Sequence, residues 1–221
     1  MHQASALAGG RGYDWRTQSD EALVAQGRMS AQRAVTVARF VLPVMGDLAG
    51  RLAAPGARLL DVGTGAGALA VAFAQVFPQV HVLGIDILDR ALGLARQAIA
   101  VSDVGVRVTV RKQDVADFAD DAGFDLAWLP APFVAGPALH GGLPRVVAAL
   151  RPGGWLIVGH SKFGGTPTQD ALTRLKTLAW GGTLIDDAAA SQLLRKAGLT
   201  SVRTVPTPAG APAITIGQNP A

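Results

Sequence analysis

The sequence predicts an α/β fold: a doubly wound, seven-stranded sheet that is mostly parallel and ends in an antiparallel strand pair. From residue 57 onward, short apolar runs alternate with helical patterns, which is typical of parallel strands joined by crossover helices. The last two strand candidates are separated by residues 206–211 alone. That segment is too short for a crossover helix, so these two strands should be antiparallel neighbours.

Apolar periodicity gives the expected bounds of each element. The predicted strands are 57–62, 80–85, 106–112, 124–129, 154–160, 201–205 and 212–216, and the predicted helices are 66–76, 88–100, 139–150, 168–179 and 187–197.

Length and composition favour one domain with an attached N-terminal segment. The chain has 221 residues, of which 49% are hydrophobic, so it can bury a substantial core. We expect residues 1–55 to form a disordered tail followed by helices, and residues 56–221 to form the sheet domain. In the N-terminal segment, Ser19 or Asp20 should cap a helix, and Gly27 and Pro43 should divide residues 19–52 into two or three short helices.

Composition also narrows the function. The chain has no cysteine, which excludes disulfides, thiolate catalysis and cysteine-ligated zinc. Residues 1–12 lack the apolar block of a secretory signal, and no apolar run is long enough to span a membrane, so we expect a cytoplasmic protein without a membrane partner. The net charge of +4 is scattered, which does not give the dense basic face of a nucleic-acid-binding protein. No cluster of carboxylates or histidines suggests a metal site.

A glycine-rich turn follows the first predicted strand. Its Gly63-x-Gly65-x-x-Ala68 pattern satisfies a dinucleotide-binding fingerprint that accepts alanine at the last position. Asp86 ends the second strand about twenty residues later, where an acid accepts hydrogen bonds from ribose hydroxyls. The turn and the acid together predict an adenosine-containing ligand. The simpler alternative is a tight strand-to-helix turn with Asp86 as a helix cap.

An NAD(P)-dependent oxidoreductase is one interpretation of this turn, and two residues argue against it. Tyr13 is the only tyrosine and lies outside the sheet, so the Tyr–Lys pair of short-chain dehydrogenases is missing. Asp61 stands two residues before Gly63. A carboxylate there would repel a pyrophosphate and would suit a positively charged ligand.

The run Asp61-Val-Gly-Thr-Gly-Ala-Gly67 resembles the first motif of class I S-adenosylmethionine-dependent methyltransferases, in particular the group that acts on small molecules. The segments 113–115, 124–130 and 150–155 resemble later motifs of that family in the same order. The resemblance implies a Rossmann-like methyltransferase fold with an N-terminal helical lid. It also implies S-adenosylmethionine as cofactor, held by Asp61, Gly63, Thr64, Gly65, Gly67, Asp86, Ile87, Asp114, Val115 and Leu129.

The same resemblance suggests roles within that set. Asp61 would lie near the methionine ammonium group, Asp86 on the ribose hydroxyls and Asp114 near the adenine amino group. Arg28, in the lid, would pair with the methionine carboxylate, because a guanidinium binds a carboxylate in bidentate fashion.

The methyl acceptor should bind outside the carboxyl ends of strands one, four and five. The candidate substrate-binding residues there are Tyr13, Trp15, Pro130, Phe133 and Phe163, with Trp180-Gly181-Gly182 as a hinge or pocket wall. His140 and His160 are the histidines placed to act as a base, and are the candidate catalytic residues. Relatives that methylate amines and amides often carry Asn-Pro-Pro-Tyr or Asn-Pro-Pro-Phe after strand four, where this chain has Pro130-Ala131-Pro132-Phe133, so the asparagine that would accept hydrogen bonds from a substrate nitrogen is absent.

The predicted function is therefore methyl transfer to an oxygen or nitrogen atom of a small-molecule substrate. A cyclase or lyase that releases methylthioadenosine from the same cofactor remains an alternative, as does a non-catalytic binding subunit, because a fold does not fix a function. A homodimer also remains open.

Overall fold

The computed structural model describes residues 15–120, 123–208 and 210–220. Within them, seven strands form one sheet in the order β3-β2-β1-β4-β5-β7-β6. The strands are β1 (Arg58–Val62), β2 (His81–Asp86), β3 (Val108–Lys112), β4 (Phe124–Pro130), β5 (Leu150–His160), β6 (Thr200–Val205) and β7 (Ala213–Gln218). The chain reverses its winding direction between the neighbouring strands β1 and β4, and the carboxyl ends of parallel strands form ligand crevices at such a point.

The predicted closing pair of strands is confirmed. β7 lies between β5 and β6 and runs antiparallel to both, while β1 to β5 are mutually parallel. β5 begins at Leu150, earlier than predicted, because Leu150 already pairs with Phe124 before a register shift in the ladder. The predicted doubly wound fold class is therefore correct.

Seven α-helices accompany the sheet in the described residues. They are α1 (Asp20–Thr36), α2 (Leu48–Leu52), α3 (Ala68–Val76), α4 (Asp89–Ala100), α5 (Gly136–Ala149), α6 (Pro167–Ala179) and α7 (Asp187–Lys196). The helices pack against the sheet and form two apolar cores with it. The first joins α1, α2 and α3 to the sheet, and the second joins α5 and α7 to it.

The N-terminal segment corrects the prediction that Gly27 ends a helix. α1 begins at the predicted cap, where the Ser19 side chain accepts a hydrogen bond from Ala22 N, and it continues through Gly27 to Thr36. A β-carbon at Gly27 would lie 3.3 Å from Ala68 Cβ, so the glycine lets α1 approach the start of α3. Pro43 does mark a break, since it lies in a 3-10 turn after α1.

The amino end of the sheet is tied to this segment by a buried carboxylate. Asp125 in β4 is 1% exposed. Its Oδ1 accepts hydrogen bonds from Arg51 Nε and Nη2 at 3.2 and 3.0 Å, and its Oδ2 accepts from Arg151 Nη1 at 3.0 Å and Arg58 N at 2.9 Å. Asp125 thus links α2, β1 and β5 at the amino end of the parallel strands, and the glycine turn lies at their carboxyl end.

Candidate functional site

A cavity of about 680 Å³ lies at the carboxyl ends of β1, β2 and β4. The glycine turn and the start of α4 line one side of it. The loop after β3, the loop after β4 and one face of α1 complete most of the wall, and residues 15–16 and 180–181 close it. This is the crevice that the reversal between β1 and β4 predicts.

The glycine turn has the backbone that the sequence predicts. Gly63, Gly65 and Gly67 have φ values of 67°, 57° and 78°, in the left-handed region that residues with a side chain rarely adopt. Gly67 meets a second constraint, because a β-carbon there would lie 2.9 Å from Ala95 Cβ in α4. Gly63, Thr64 and Gly65 line the cavity, whereas Gly67 lies behind them and is absent from its wall.

Asp86 holds the turn in place. Its Oδ2 accepts a hydrogen bond from Gly65 N and its Oδ1 accepts one from Leu88 N, both at 2.9 Å. Burial raises the pKa of this carboxyl, and its hydrogen bonds to backbone N–H groups oppose the rise. Each carboxylate oxygen keeps a further lone pair, so Asp86 can still accept hydrogen bonds from ligand hydroxyls. The neighbouring Ile87 side chain is exposed at the cavity wall.

Asp61 lies beneath the turn as a buried acid that lines the cavity. The hydroxyl of Thr64 donates a hydrogen bond of 2.8 Å to Asp61 Oδ2. Burial raises the pKa of Asp61 to about 7, the hydrogen bond from Thr64 opposes this, and the nearby charge of Asp86 adds to it. A cation bound beside Asp61 would stabilise its ionised form.

The loop after β3 supplies a third acid. Asp114 Oδ1 accepts a hydrogen bond of 2.8 Å from Ala116 N, which shapes a short 3-10 turn over residues 115–117. Asp114 and Val115 line the cavity as predicted, and so does Gln113.

Three aromatic side chains from separate segments form an aromatic wall, defined as Trp15, Phe133 and Trp180. Phe133 and Trp180 stack with ring centroids 4.8 Å apart and an interplanar angle of 23°, and Trp15 is tilted against Phe133 at 6.0 Å. Trp15 Nε1 donates a hydrogen bond of 2.9 Å to the carbonyl oxygen of Trp180. All three line the cavity, as does Pro130.

α1 contributes a stripe of residues that sequence reasoning largely missed: Leu23, Gln26, Gly27, Ser30 and Arg33 line the cavity. Their spacing of three and four residues places them on one helical face, and that spacing was the available signal. The predicted cofactor residue Arg28 is exposed outside this stripe. The arginine that does line the cavity is Arg33. Its side chain is half-buried, and burial lowers the pKa of its guanidinium group.

The structure does not bring the predicted base candidates into the cavity. His140 is exposed on α5, where its Nδ1 lies 2.7 Å from the carbonyl oxygen of Gly136 one turn earlier. His160 is buried, with Nε2 2.9 Å from Thr215 Oγ1 in β7. Burial lowers the pKa of His160.

Two other candidates, Leu129 and Phe163, lie away from the cavity, and a third, Tyr13, is not tested. Leu129 packs in the second core, because neighbouring residues of a strand point to opposite faces and Pro130 faces the cavity. Phe163 is absent from the cavity wall, and the guanidinium of Arg174 lies over its ring at 4.6 Å. Tyr13 lies outside the described residues.

Metal-binding clusters and membrane-spanning helices are both absent from residues 15–120, 123–208 and 210–220. No group of three or more histidine, cysteine or carboxylate side chains there could hold a metal ion. Among the described helices, none combines the length and the apolar character needed to cross a bilayer.

Residues 53–197 match a family model described as a methyltransferase domain. A release factor glutamine methyltransferase from Rhodopirellula baltica is 32% identical over 122 residues, which cover 54% of this chain and 41% of that relative. The chain therefore spans less than half of that curated relative.

The chain is also similar to solved structures of methyltransferases. The S-adenosylmethionine-dependent methyltransferase SibL in its apo form is 29% identical with a TM-score of 0.64, over 75% of this chain and 51% of SibL. The mitomycin 7-O-methyltransferase MmcR has a TM-score of 0.75 at 21% identity, over 98% of this chain and 65% of MmcR. The second similarity concerns the fold alone, and it extends over nearly the whole chain.

Proposed function

Because this chain belongs to the methyltransferase-domain family, we propose that it transfers the methyl group of S-adenosylmethionine to an oxygen or nitrogen atom of a small molecule. The observation that carries the proposal is the arrangement of two acids around the glycine turn. Gly65 N donates a hydrogen bond to Asp86, and Asp61 lies buried beneath the turn. Acids at these two points match the hydroxyls and the positive charge of that cofactor. The cofactor site would comprise Asp61, Gly63, Thr64, Gly65, Asp86, Ile87, Asp114 and Val115.

The lid stripe completes the cofactor part of this proposal. Arg33, rather than Arg28, would bind the methionine carboxylate, because Arg33 lines the cavity and is partly desolvated. A guanidinium in such a setting forms stronger charge-assisted hydrogen bonds than an exposed one.

The chemistry follows from the charge of the cofactor. Its sulfonium supplies an activated methyl group, so the protein's task is orientation. The ionised Asp61 and Asp86 would fix the methionine and ribose portions, and the glycines would let them lie against bare backbone. The acceptor would enter beside Pro130 and the aromatic wall, which lie at the carboxyl end of β4 and its following loop.

The acceptor is more consistent with a small molecule than with a protein glutamine. The Pro130-Ala131-Pro132-Phe133 segment lacks an asparagine that would hydrogen-bond a substrate amide. The side chains contributed by that segment and by α5 are mainly apolar. A homodimer and a cytoplasmic location stay predictions.

One experiment tests the proposed reaction. The protein is incubated with S-adenosylmethionine and a panel of small hydroxyl- and amine-bearing metabolites, and products are followed by mass spectrometry. S-adenosylhomocysteine together with a methylated product is the expected result. Methylthioadenosine as the product would instead establish the cyclase or lyase alternative, and absence of cofactor binding by calorimetry would contradict both enzymatic functions.

Asp86→Ala tests the cofactor site. Loss of the carboxylate should weaken S-adenosylmethionine binding by about 1–3 kcal/mol. The ribose hydroxyls lose their hydrogen-bond acceptor, and the glycine turn loses the hydrogen bond from Gly65 N to Asp86. Isothermal titration calorimetry measures the change. Asp103→Ala is the matched control, since Asp103 is an exposed acid away from the cavity. Equal affinity of Asp86→Ala and wild type would contradict the ribose assignment.

A further inference from the structure

The aromatic wall is held together by contacts that do not involve a ligand. Thr183 N donates a hydrogen bond of 2.9 Å to the carbonyl oxygen of Ala131, and Thr183 Oγ1 donates one of 2.7 Å to that of Val134. These bonds fasten the segment after α6, which carries Trp180, to the loop after β4, which carries Phe133. The two stacked rings are therefore positioned before a ligand arrives.

Close backbone contact reinforces this arrangement. A β-carbon at Gly182 would lie 1.8 Å from the carbonyl oxygen of Pro132, so the two loops touch where no side chain fits. The last turn of α6 is held in place as well, because the hydroxyl groups of Ser161 and Thr177 form a buried hydrogen bond of 2.9 Å. Trp15 adds its ring, which contacts Phe133, and its hydrogen bond to the carbonyl oxygen of Trp180.

The side chains around the aromatic wall are mainly apolar, with the charged Arg16, next to Trp15 in the chain, as the exception. Around the aromatic wall, the lining residues are Pro130, Val134, Ala135, Ala138 and Gly181. The other charged side chains that line the cavity are Asp61 in β1, Asp86 at the end of β2, Asp114 after β3 and Arg33 in α1. Flat rings held rigidly in apolar surroundings favour a ligand that is itself flat and aromatic, because offset stacking adds to the burial of apolar area.

Resting on the proposed function, we infer that the methyl acceptor is a planar aromatic molecule that packs against Trp15, Phe133 and Trp180. These residues then determine acceptor specificity and leave cofactor affinity unchanged. Thr183 is a positioning residue, since it acts by holding the two loops together.

A pair of probes with the same hydroxyl group separates planarity from size. 2-Naphthol and decahydro-2-naphthol are titrated into the protein loaded with S-adenosylhomocysteine, and methyl transfer to each is measured with S-adenosylmethionine. The wild type should prefer 2-naphthol by about 10-fold in affinity, given the strength of aromatic pairs. Equal affinity for the two probes would overturn the inference.

Variants assign the preference to the aromatic wall. Phe133→Leu and Trp180→Leu should each lower the preference to about 3-fold or less while keeping an apolar side chain at the position. Trp180→Phe should keep most of it, which distinguishes lost stacking from a misfolded loop. Phe163→Leu is the matched control, because Phe163 is absent from the cavity wall. A preference that survives both leucine variants would overturn the assignment.

Cofactor binding is measured separately in the same proteins. The leucine variants should bind S-adenosylhomocysteine within about twofold of the wild type. If the wild type bound no S-adenosylhomocysteine, the proposed function would fail, and titration of the unliganded protein with both probes would still decide whether the aromatic wall selects planar molecules.

Discussion

At the scale of single residues, the site contrasts two arginines five positions apart on α1. Arg28 is exposed, whereas Arg33 lines the cavity and has a lowered pKa because of its burial. Five residues along a helix correspond to a rotation of about 140°, so the two side chains leave α1 in different directions. The contact with the methionine carboxylate that the sequence assigned to Arg28 is therefore proposed for Arg33.

Arg33→Gln should weaken S-adenosylmethionine binding by about 1.5–3 kcal/mol, because a hydrogen bond to a charged carboxylate is lost from a partly buried place. Arg28→Gln removes the same charge from the exposed face and should leave the affinity unchanged. Isothermal titration calorimetry on both variants measures the difference. Equal losses in the two variants would indicate a general charge effect rather than a contact.

If Asp61 binds the cofactor as proposed, cofactor affinity should depend on pH. The pKa of Asp61 in the free protein is raised to about 7, so at lower pH the carboxyl is mostly protonated and cannot pair with the methionine ammonium group. Below pH 7, affinity should therefore increase by up to about tenfold per pH unit as pH rises, and level off above it. Titrations between pH 5.5 and 8.5 measure this, and Asp61→Asn should abolish the slope.

At the scale of elements, the glycine turn and α4 depend on each other through a contact that excludes a side chain. Gly67 ends the turn with a positive φ, and a β-carbon there would press on Ala95 in α4. A single methyl group at Gly67 therefore conflicts both with the backbone and with the packing of two helices.

Gly67→Ala should lower the free energy of unfolding by about 1–3 kcal/mol through backbone strain and the clash with Ala95. Gly93→Ala is the matched substitution within α4. A β-carbon at Gly93 meets no atom within 4 Å, so alanine there should stabilise the protein by about 0.5–1 kcal/mol by its helix propensity. Urea unfolding of both variants measures these opposite signs. Two changes of the same sign would contradict the packing account.

At the scale of the whole molecule, the strand pattern predicted the sheet well because its strands are short and apolar and most of them alternate with helical segments. The order of motifs also located the turn, Asp61 and Asp86. The sequence did not locate the α1 stripe, because a glycine in a helical pattern indicates a break as readily as a close approach. It also misplaced His140 and His160, since the direction of each ring depends on neighbours distant in the chain, such as Thr215 for His160.

The network around Asp125 is the corresponding feature at the opposite end of the sheet. Asp125→Ala should lower the free energy of unfolding by about 3 kcal/mol, because Arg51 and Arg151 lose their shared partner and Arg58 N loses its acceptor. Urea unfolding measures this loss. Asp47→Ala provides the control, since Asp47 is exposed and makes no side-chain cap at α2. A similar decrease in the free energy of unfolding for both variants would contradict a specific contribution of the Asp125 network.

The position of β7 has a consequence for synthesis. β7 follows all the other described strands in chain order, yet it lies inside the sheet between β5 and β6. While the ribosome still holds residues 213–218, β5 presents an unpaired edge and β6 has no neighbour to join. Unpaired strand edges are sites of aggregation, so we expect the nascent chain to be prone to aggregation until β7 is released and pairs with β5 and β6.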